Sequence, residues 1–207
     1  MIIICMSYSI IDLVTDHRSN ERISIFKEFI KNTGTSDPLY KNYELLDIND
    51  FICLTAVLEN DEIVALSGIQ YFPERWGNNI VRMSTRFWMH PKYRITSLSK
   101  FKHDSRFYFN SQLMIPYQLT FIKQKKIPFA IITREGNYKR SFTKFIELVN
   151  HYNSTNFLLL DGIYNVCQPM NNVPDSCKQM IAFCSFDNFC FQEELQLLHI
   201  ENKLKFI

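Results

Sequence analysis

Residues 88–94 read Trp88-Met89-His90-Pro91-Lys92-Tyr93-Arg94. They close the run Ile80 to Met89. In an extended chain, Val81, Met83, Thr85, Phe87 and Met89 fall on one face of this run and Arg82, Ser84, Arg86 and Trp88 on the other. A clean period of two predicts a strand.

Working outward toward the N-terminus, Phe51 to Leu58 and Ile63 to Phe72 are two apolar, β-rich runs with Glu59-Asn60-Asp61-Glu62 between them. That arrangement predicts a hairpin. Gly68 inside the second run points to a bulge or to the close approach of another segment. Pro73 to Asn79 is a turn, so Ile80 to Met89 is the third strand of a meander. Before the hairpin, Ser7 to Val14 reads as a strand. Glu21 to Asn32 reads as a helix, with Ile23, Phe26, Phe29 and Ile30 on one face, polar Asp16 to Asn20 ahead of it and Gly34 closing it. Thr35 to Asn49 reads as loop.

Toward the C-terminus, Arg94 to Tyr108 has no period. Asn110 to Lys126 suits a helix that Pro116 starts or kinks. Pro128 to Thr133 is a short buried strand, and Asn137 to Asn150 a helix with Phe142, Phe145, Ile146 and Val149 on one face. Phe157 to Leu160, Gly162 to Val166 and Gln179 to Phe186 read as later strands, and Phe191 to Leu204 as a terminal helix. Antiparallel pairs followed by a β-α-β crossover predict an α/β (α+β) fold with a mixed, mostly antiparallel central sheet flanked by helices. Residues 1–150 form its core. Residues 151–207 complete the same domain.

Composition excludes several classes. The chain has 207 residues, 46% of them apolar and 21% charged, enough for a packed core and unlike a disordered chain. Five glycines leave little room for a glycine-rich nucleotide fingerprint. No apolar run is long enough to span a bilayer as a helix. Six cysteines include no C-x-x-C pair, so zinc-knuckle spacing is absent and no metal is expected. Met1 to Met6 is too short for a secretory signal, and the chain reads as cytoplasmic with reduced thiols. The Asn-, Ile-, Lys- and Phe-rich composition suits an AT-rich genome such as a virus's.

Net charge is +2 but unevenly placed. Residues 1–62 carry 11 acidic against 5 basic side chains, and residues 92–126 carry eight basic side chains against Asp104 alone. Such a cluster either meets an anion or forms a solvated face neutralised by the acidic N-terminal part.

With three strands before it and helix-strand-helix after it, the phrase Met89-His90-Pro91-Lys92-Tyr93-Arg94 resembles the GNAT (Gcn5-related) N-acetyltransferase superfamily. There the fourth strand ends in an apolar residue, then x-Pro-x-x-Arg, then a phosphate-cradling loop opening a helix. By element order the resemblance covers Ser7 to Asn150. It implies that the fourth and fifth strands part near Met89 and Phe129. Backbone of Phe87, Trp88 and Met89 would then hold the pantetheine arm of acetyl-CoA as co-substrate, with Asn137 after the fifth strand contributing. Arg94, Ser97 and Ser99 would cradle the pyrophosphate, with serine standing at both of the family's glycine places. Arg94 also precedes Ile127 by 33 residues, a longer connection than the family's.

The family's usual carboxylate on the fourth strand is missing, because Ile80 to Met89 contains no Asp or Glu. Its usual tyrosine is replaced by Lys144. Glu74, Glu135 and Tyr138 stand as candidates for proton transfer, with His90 beside them. The plainer readings are a loop charge for Glu74, a first-turn helix carboxylate for Glu135 and an exposed strand end for His90. Trp76 or Trp88 would wall an amine pocket, or simply fill the core.

The resemblance implies an acyl-CoA-dependent N-acyltransferase acting on a small-molecule or peptide amine, with no membrane partner. The alternative is a binding protein that keeps the fold without the chemistry. In one version Phe101, Phe107, Tyr108 and Phe109 interleave with Lys100, Lys102 and Arg106 to hold single-stranded nucleic acid. A third reading, a signal-lactone synthase-like user of S-adenosylmethionine, has no residue arguing for it.

Overall fold

The computed structural model describes residues 8–33, 46–71, 80–93, 108–135, 139–161, 164–167, 176–186 and 205–206. Strand β1 is Ser9–Asp12 and helix α1 is Ser19–Thr33. The expected loop ends in a 3-10 turn at Ile48–Asp50, capped by Asp47. Strands β2 (Cys53–Glu59) and β3 (Glu62–Tyr71) form the expected hairpin. Its two-residue turn has φ 50° at Asn60 and 69° at Asp61, the left-handed pair of a type I′ turn that matches strand twist. Asp61 is also gripped by Arg18 and Arg22 of the α1 region, and Arg22 reaches Asp16 at 3.0 Å. The pairs to half-exposed Asp61 orient α1 over the hairpin more than they stabilise the fold, while the Arg22–Asp16 pair is largely covered.

Strand β4 (Ile80–Met89) has the expected bounds. The helix after it does not start at Asn110: residues Tyr108–Met114 form π-helical turns that pass into α2 at Ile115–Gln124. Pro116 lies in the first α turn and cannot complete an interior hydrogen-bond ladder, and a widened turn before it relieves that conflict. Strand β5 (Phe129–Glu135) and helix α3 (Lys139–Asn153) each run on beyond the expected end. Strands β6 (Leu158–Leu159), β7 (Tyr164–Cys167), β8 (Ser176–Ser185) and β9 (Lys205–Phe206) follow. The terminal helix expected over residues 191–204, the Gly34 cap and the turn at residues 73–79 lie outside the described residues.

The strands form one mixed sheet in the order β1-β2-β3-β4-β5-β8-β7-β9, with β6 also on β8. Among the described residues, only β4 and β5 pair in parallel and the other neighbours are antiparallel. Helix α1 covers one face, burying Phe26 and Ile30 against Leu54, Ala56, Leu66 and Trp88. Helices α2 and α3 cover the other. There Phe142, Phe145, Ile146 and Val149 meet Ile115, Leu119, Ile122, Ala130 and Ile132. Each such fully buried aliphatic or aromatic side chain contributes about 1.5–3 kcal/mol. Asn150 closes the turn after α3 by accepting from the Phe157 amide at 2.8 Å and donating to the Phe157 carbonyl at 2.9 Å. No helix among the described residues is long and apolar enough to cross a membrane.

Gly68 turns out to be both a register break and a close approach. The β3–β4 register shifts on either side of it, and the Phe51 ring lies where its Cβ would be. A Gly68→Ala substitution is therefore expected to destabilise by about 1–3 kcal/mol in urea denaturation. On a Phe51→Ala background the penalty of the same substitution should largely vanish; an undiminished penalty would mean the ring is not its cause.

Candidate functional site

Strand β4 departs from the clean alternation read from its sequence. Leu66 pairs with Trp88, Gly68 with Thr85 and Gln70 with Arg82, so twice two steps on β3 are matched by three on β4. Each extra residue is a bulge, which bends and twists its strand. Ser84, in the second bulge, has φ 54°. Thr85 shows the consequence. Paired with Gly68, it shares the face of Phe51 rather than that of Val81 and Met83, and its hydroxyl donates to the Gly68 carbonyl at 3.0 Å. A second shift restores the expected parity, so Met89 packs with Met114 on the α2 side and Trp88 with Phe26 on the α1 side.

The bulges coincide with a parting of strands. Strands β4 and β5 share only three rungs: Ile80 with Phe129, Val81 with Ala130, and Arg82 with Ile131. Beyond them β4 stays with β3 out to Met89, and β5 stays with β8 out to Glu135. The two strands part there, leaving a gap in the ladder between residues 83–89 and residues 132–135. This corrects the expected location in one respect. Phe129 lies at the closed end, because two parallel strands that pair at their starts can part only at their C-terminal ends.

No family model and no curated protein sequence matches the chain. Solved structures do resemble it. A probable acetyltransferase from Staphylococcus epidermidis has a TM-score of 0.55 at 12% identity, covering 87% of this chain and 100% of that one. The ribosomal-protein-S18-alanine N-acetyltransferase of Escherichia coli has 0.51 at 7%, covering 89% and 100%. A candidate GNAT-family acetyltransferase from Desulfovibrio desulfuricans has 0.50 at 7%, covering 86% and 99%. The fold is that of the GNAT acetyltransferases.

Within this GNAT fold the side chains of Phe87, Trp88 and Met89 are core groups. Trp88 is buried edge-on against Phe26 and Phe29; Phe87 and Met89 pack beside Met114. Trp88 is thus a core residue, not the wall of an open pocket. His90 is not an exposed strand end: its amide donates to the Val64 carbonyl at 2.8 Å and its ring stacks on Phe29 at 4.8 Å. Its Nδ1 accepts from the Lys92 amide at 3.1 Å, closing the 3-10 turn Pro91–Tyr93. Lys144 is exposed on α3, off the buried stripe. Glu135 ends β5 opposite Gln179, and its side chain lies outside the description. Glu74, Arg94, Ser97, Ser99, Asn137 and Tyr138 lie outside the described residues, as do Trp76 and the interleaved 100–107 segment.

The turn that ends β4 is clamped to β2. Lys92 pairs with Glu59, and Tyr93 stands edge-on to Tyr8 at 6.4 Å. The Lys92 ammonium, bonded to Glu59 with the Tyr93 ring beside it, holds the Glu59 carboxyl below its usual range, and burial pushes the Tyr93 hydroxyl up to about 12. Among the described residues, no group of His, Cys, Asp and Glu is arranged to hold a metal ion. Cys53 and Cys184 are buried free thiols; burial pushes Cys53 up to about 12, far from a thiolate nucleophile at neutral pH.

Sequence reasoning missed a buried polar group under the second bulge. The Ser84 amide donates to Gln118 Oε1 at 3.1 Å, and Gln118 Nε2 donates to the Ser67 carbonyl at 3.1 Å. Asn110 Nδ2 donates to Ser84 Oγ at 2.8 Å. A signal existed. Gln118 sits on the stripe Ile115, Leu119, Ile122, and a carboxamide there demands polar partners in the core.

Two outcomes follow from this geometry. Ser84→Val should destabilise by at least about 2 kcal/mol, since a β-branched residue resists positive φ and the hydroxyl bonds are lost. Ser84→Gly should cost clearly less than Ser84→Val by chemical denaturation, because glycine loses the same hydroxyl bonds but accepts that φ. The Glu59–Lys92 pair is checked by pH. A carboxyl with a depressed folded-state pKa adds stability above the ordinary carboxylate range and loses it as pH falls. The difference between wild type and Glu59→Gln, under about 1 kcal/mol for a half-exposed pair, should be present at pH 7 and gone in acid.

Proposed function

We propose that the chain is an acyl-CoA-dependent N-acyltransferase that moves an acetyl group from acetyl-CoA to a small-molecule or peptide amine. One observation carries the reading: β4 and β5 part after three rungs, at the C-terminal end of a parallel pair. Backbone groups on parted strand edges are ladder positions that an extended amide-bearing arm can occupy like an added strand. The pantetheine arm of acetyl-CoA carries two such amides. In this reading backbone of Phe87, Trp88 and Met89 lines the arm, and Arg94, Ser97, Ser99 and Asn137 serve its phosphate end.

A further feature supports an anionic ligand at this end of the sheet. Three residues separate the end of β5 from the start of helix α3, and Lys139, Arg140, Thr143, Lys144 and Glu147 line a shallow open depression of about 520 Å³ on it. Three cations against one carboxylate favour the nucleotide phosphates of the donor.

The reaction is direct. The amine nitrogen attacks the thioester carbonyl, the oxyanion is met by a backbone N–H near Met89, and the C–S bond breaks as the amide forms. The attacking nitrogen gives up a proton and the departing sulfur gains one, so no covalent enzyme intermediate is required. Glu74, Glu135 and Tyr138 are the candidate proton carriers. A second reading keeps donor binding without turnover. It is favoured by the lack of any carboxylate in Ile80–Met89.

Thermal melting with acetyl-CoA separates these readings from a fold that binds no donor. Ligand at 100 times its Kd adds about 2.7 kcal/mol, or roughly 5–10 °C for a chain of this size. Desulfo-CoA should do the same, and Arg94→Ala should reduce the shift. Release of free CoA thiol with a panel of amines then distinguishes enzyme from binding protein. No shift at millimolar ligand would refute donor binding.

A further inference from the structure

Gln118 belongs to α2, yet its side chain completes the sheet. Between the rungs Leu66–Trp88 and Gln70–Arg82, the bulges leave Ser67 and Ser84 without each other or any regular ladder partner across β3 and β4. The Gln118 carboxamide enters there. Its oxygen accepts from the Ser84 amide at 3.1 Å, and its nitrogen donates to the Ser67 carbonyl at 3.1 Å and to Ser67 Oγ at 3.3 Å. It does what a peptide group of a regular neighbour does, accepting with oxygen and donating with nitrogen, where the β3–β4 register provides no such partner. Gln118 is fully buried, so water does not replace it.

The π-helical segment sends a second carboxamide to the same residue. Asn110, also buried, donates to Ser84 Oγ at 2.8 Å and accepts from it at 3.2 Å. Ser84 thus keeps its left-handed conformation because both its amide and its hydroxyl are held from the α2 side. It stands two residues beyond Arg82, the last β4 residue paired with β5. The conformation fixed by the two carboxamides is therefore the one that turns β4 away from β5.

We infer that Gln118, aided by Asn110, is a positioning residue: its carboxamide replaces a missing rung of the sheet, and by fixing the Ser84 bulge it holds open the gap that receives the acyl donor. Chemistry restricts the substitutes. Leucine or methionine fills the volume but neither accepts nor donates. Glutamate keeps the acceptor for Ser84 and sets a second oxygen against the Ser67 carbonyl, a repulsion that protonation of the carboxyl removes. Without the staple, Ser84 returns to extended backbone and β4 settles along β5. The role in donor binding rests on the transferase reading; the role in holding the strands apart does not.

The test uses the full chain as wild type, Gln118→Met, Gln118→Glu and Asn110→Ala. Hydrogen exchange without ligand reports the gap, and calorimetric titration with acetyl-CoA reports its use. For Gln118→Met, faster exchange at Ser84 and slower exchange in residues 132–135 are expected, with at least a tenfold loss of acetyl-CoA affinity in a protein that still melts cooperatively. Gln118→Glu should show the same defect at pH 8 and recover toward wild type as the pH is lowered. Asn110→Ala should show a weaker form of it, which keeps the test alive if Gln118→Met does not fold. A lower melting temperature with an unchanged exchange pattern in β4 and β5, or wild-type acetyl-CoA affinity in a folded Gln118→Met, would overturn the inference. If wild type itself ignores acetyl-CoA, the transferase reading falls and exchange alone judges the staple: closure of the gap in the variants supports it, no change refutes it.

Discussion

The conformation of Ser84 governs the middle of this molecule. A serine with φ 54° inside a strand is strained, and it persists only because its surroundings over-determine it. The Gln118 and Asn110 carboxamides supply that determination from one side of the sheet. The neighbouring strands supply the rest: β4 keeps its antiparallel ladder to β3 while β5 keeps seven consecutive rungs with β8. Each strand follows its antiparallel partner, so the parallel contact between them is the one that gives way. The antiparallel ladder is also the slightly more stable pairing per residue.

Around this parting the fold is conventional in its energetics. One face is closed by α1 and the other by α2 and α3, and each helix presents an apolar stripe to the sheet. The two halves are joined through β4, which sends Val81 and Met83 to the α2/α3 side and Trp88 to the α1 side. Beyond β4 the turn of His90, Pro91, Lys92 and Tyr93 is tied back to β2 and α1 by Glu59 and Phe29. The strand is thus anchored at its start by three rungs to β5, in its middle by α2 and at its end by β2. A strand held at three places keeps the same course without help from any ligand.

Much of this was legible beforehand. The β2–β3 hairpin followed from Glu59-Asn60-Asp61-Glu62 between two β-rich runs, while the two-residue left-handed turn at its tip is a finding of the structure. The stripe of α3 followed from the spacing of Phe142, Phe145, Ile146 and Val149. The end of β4 at Met89 followed from where the alternation begun at Ile80 stops. The parting of β4 and β5 was legible only as a place. Of the residues expected to form it, Phe87, Trp88 and Met89 are described and lie at the gap, with their side chains committed to the core. His90 was misread because nothing near it in sequence reveals that Phe29, on a helix far earlier in the chain, stacks on its ring.

What the sequence alone determined is local: element types, the mixed sheet they imply, and the point where β4 ends. Periodicity, turn residues and proline act over a few residues, so they can be read without coordinates. What tertiary structure decided is the bulging of β4 and the gap in its ladder to β5. Those depend on Gln118 meeting Ser84, 34 residues away, and Ser67, 51 residues away. In the sequence β4 alternates as though it were regular. Its departure from regularity is imposed by hydrogen bonds from a helix packed beneath it, and only the folded chain brings that helix there.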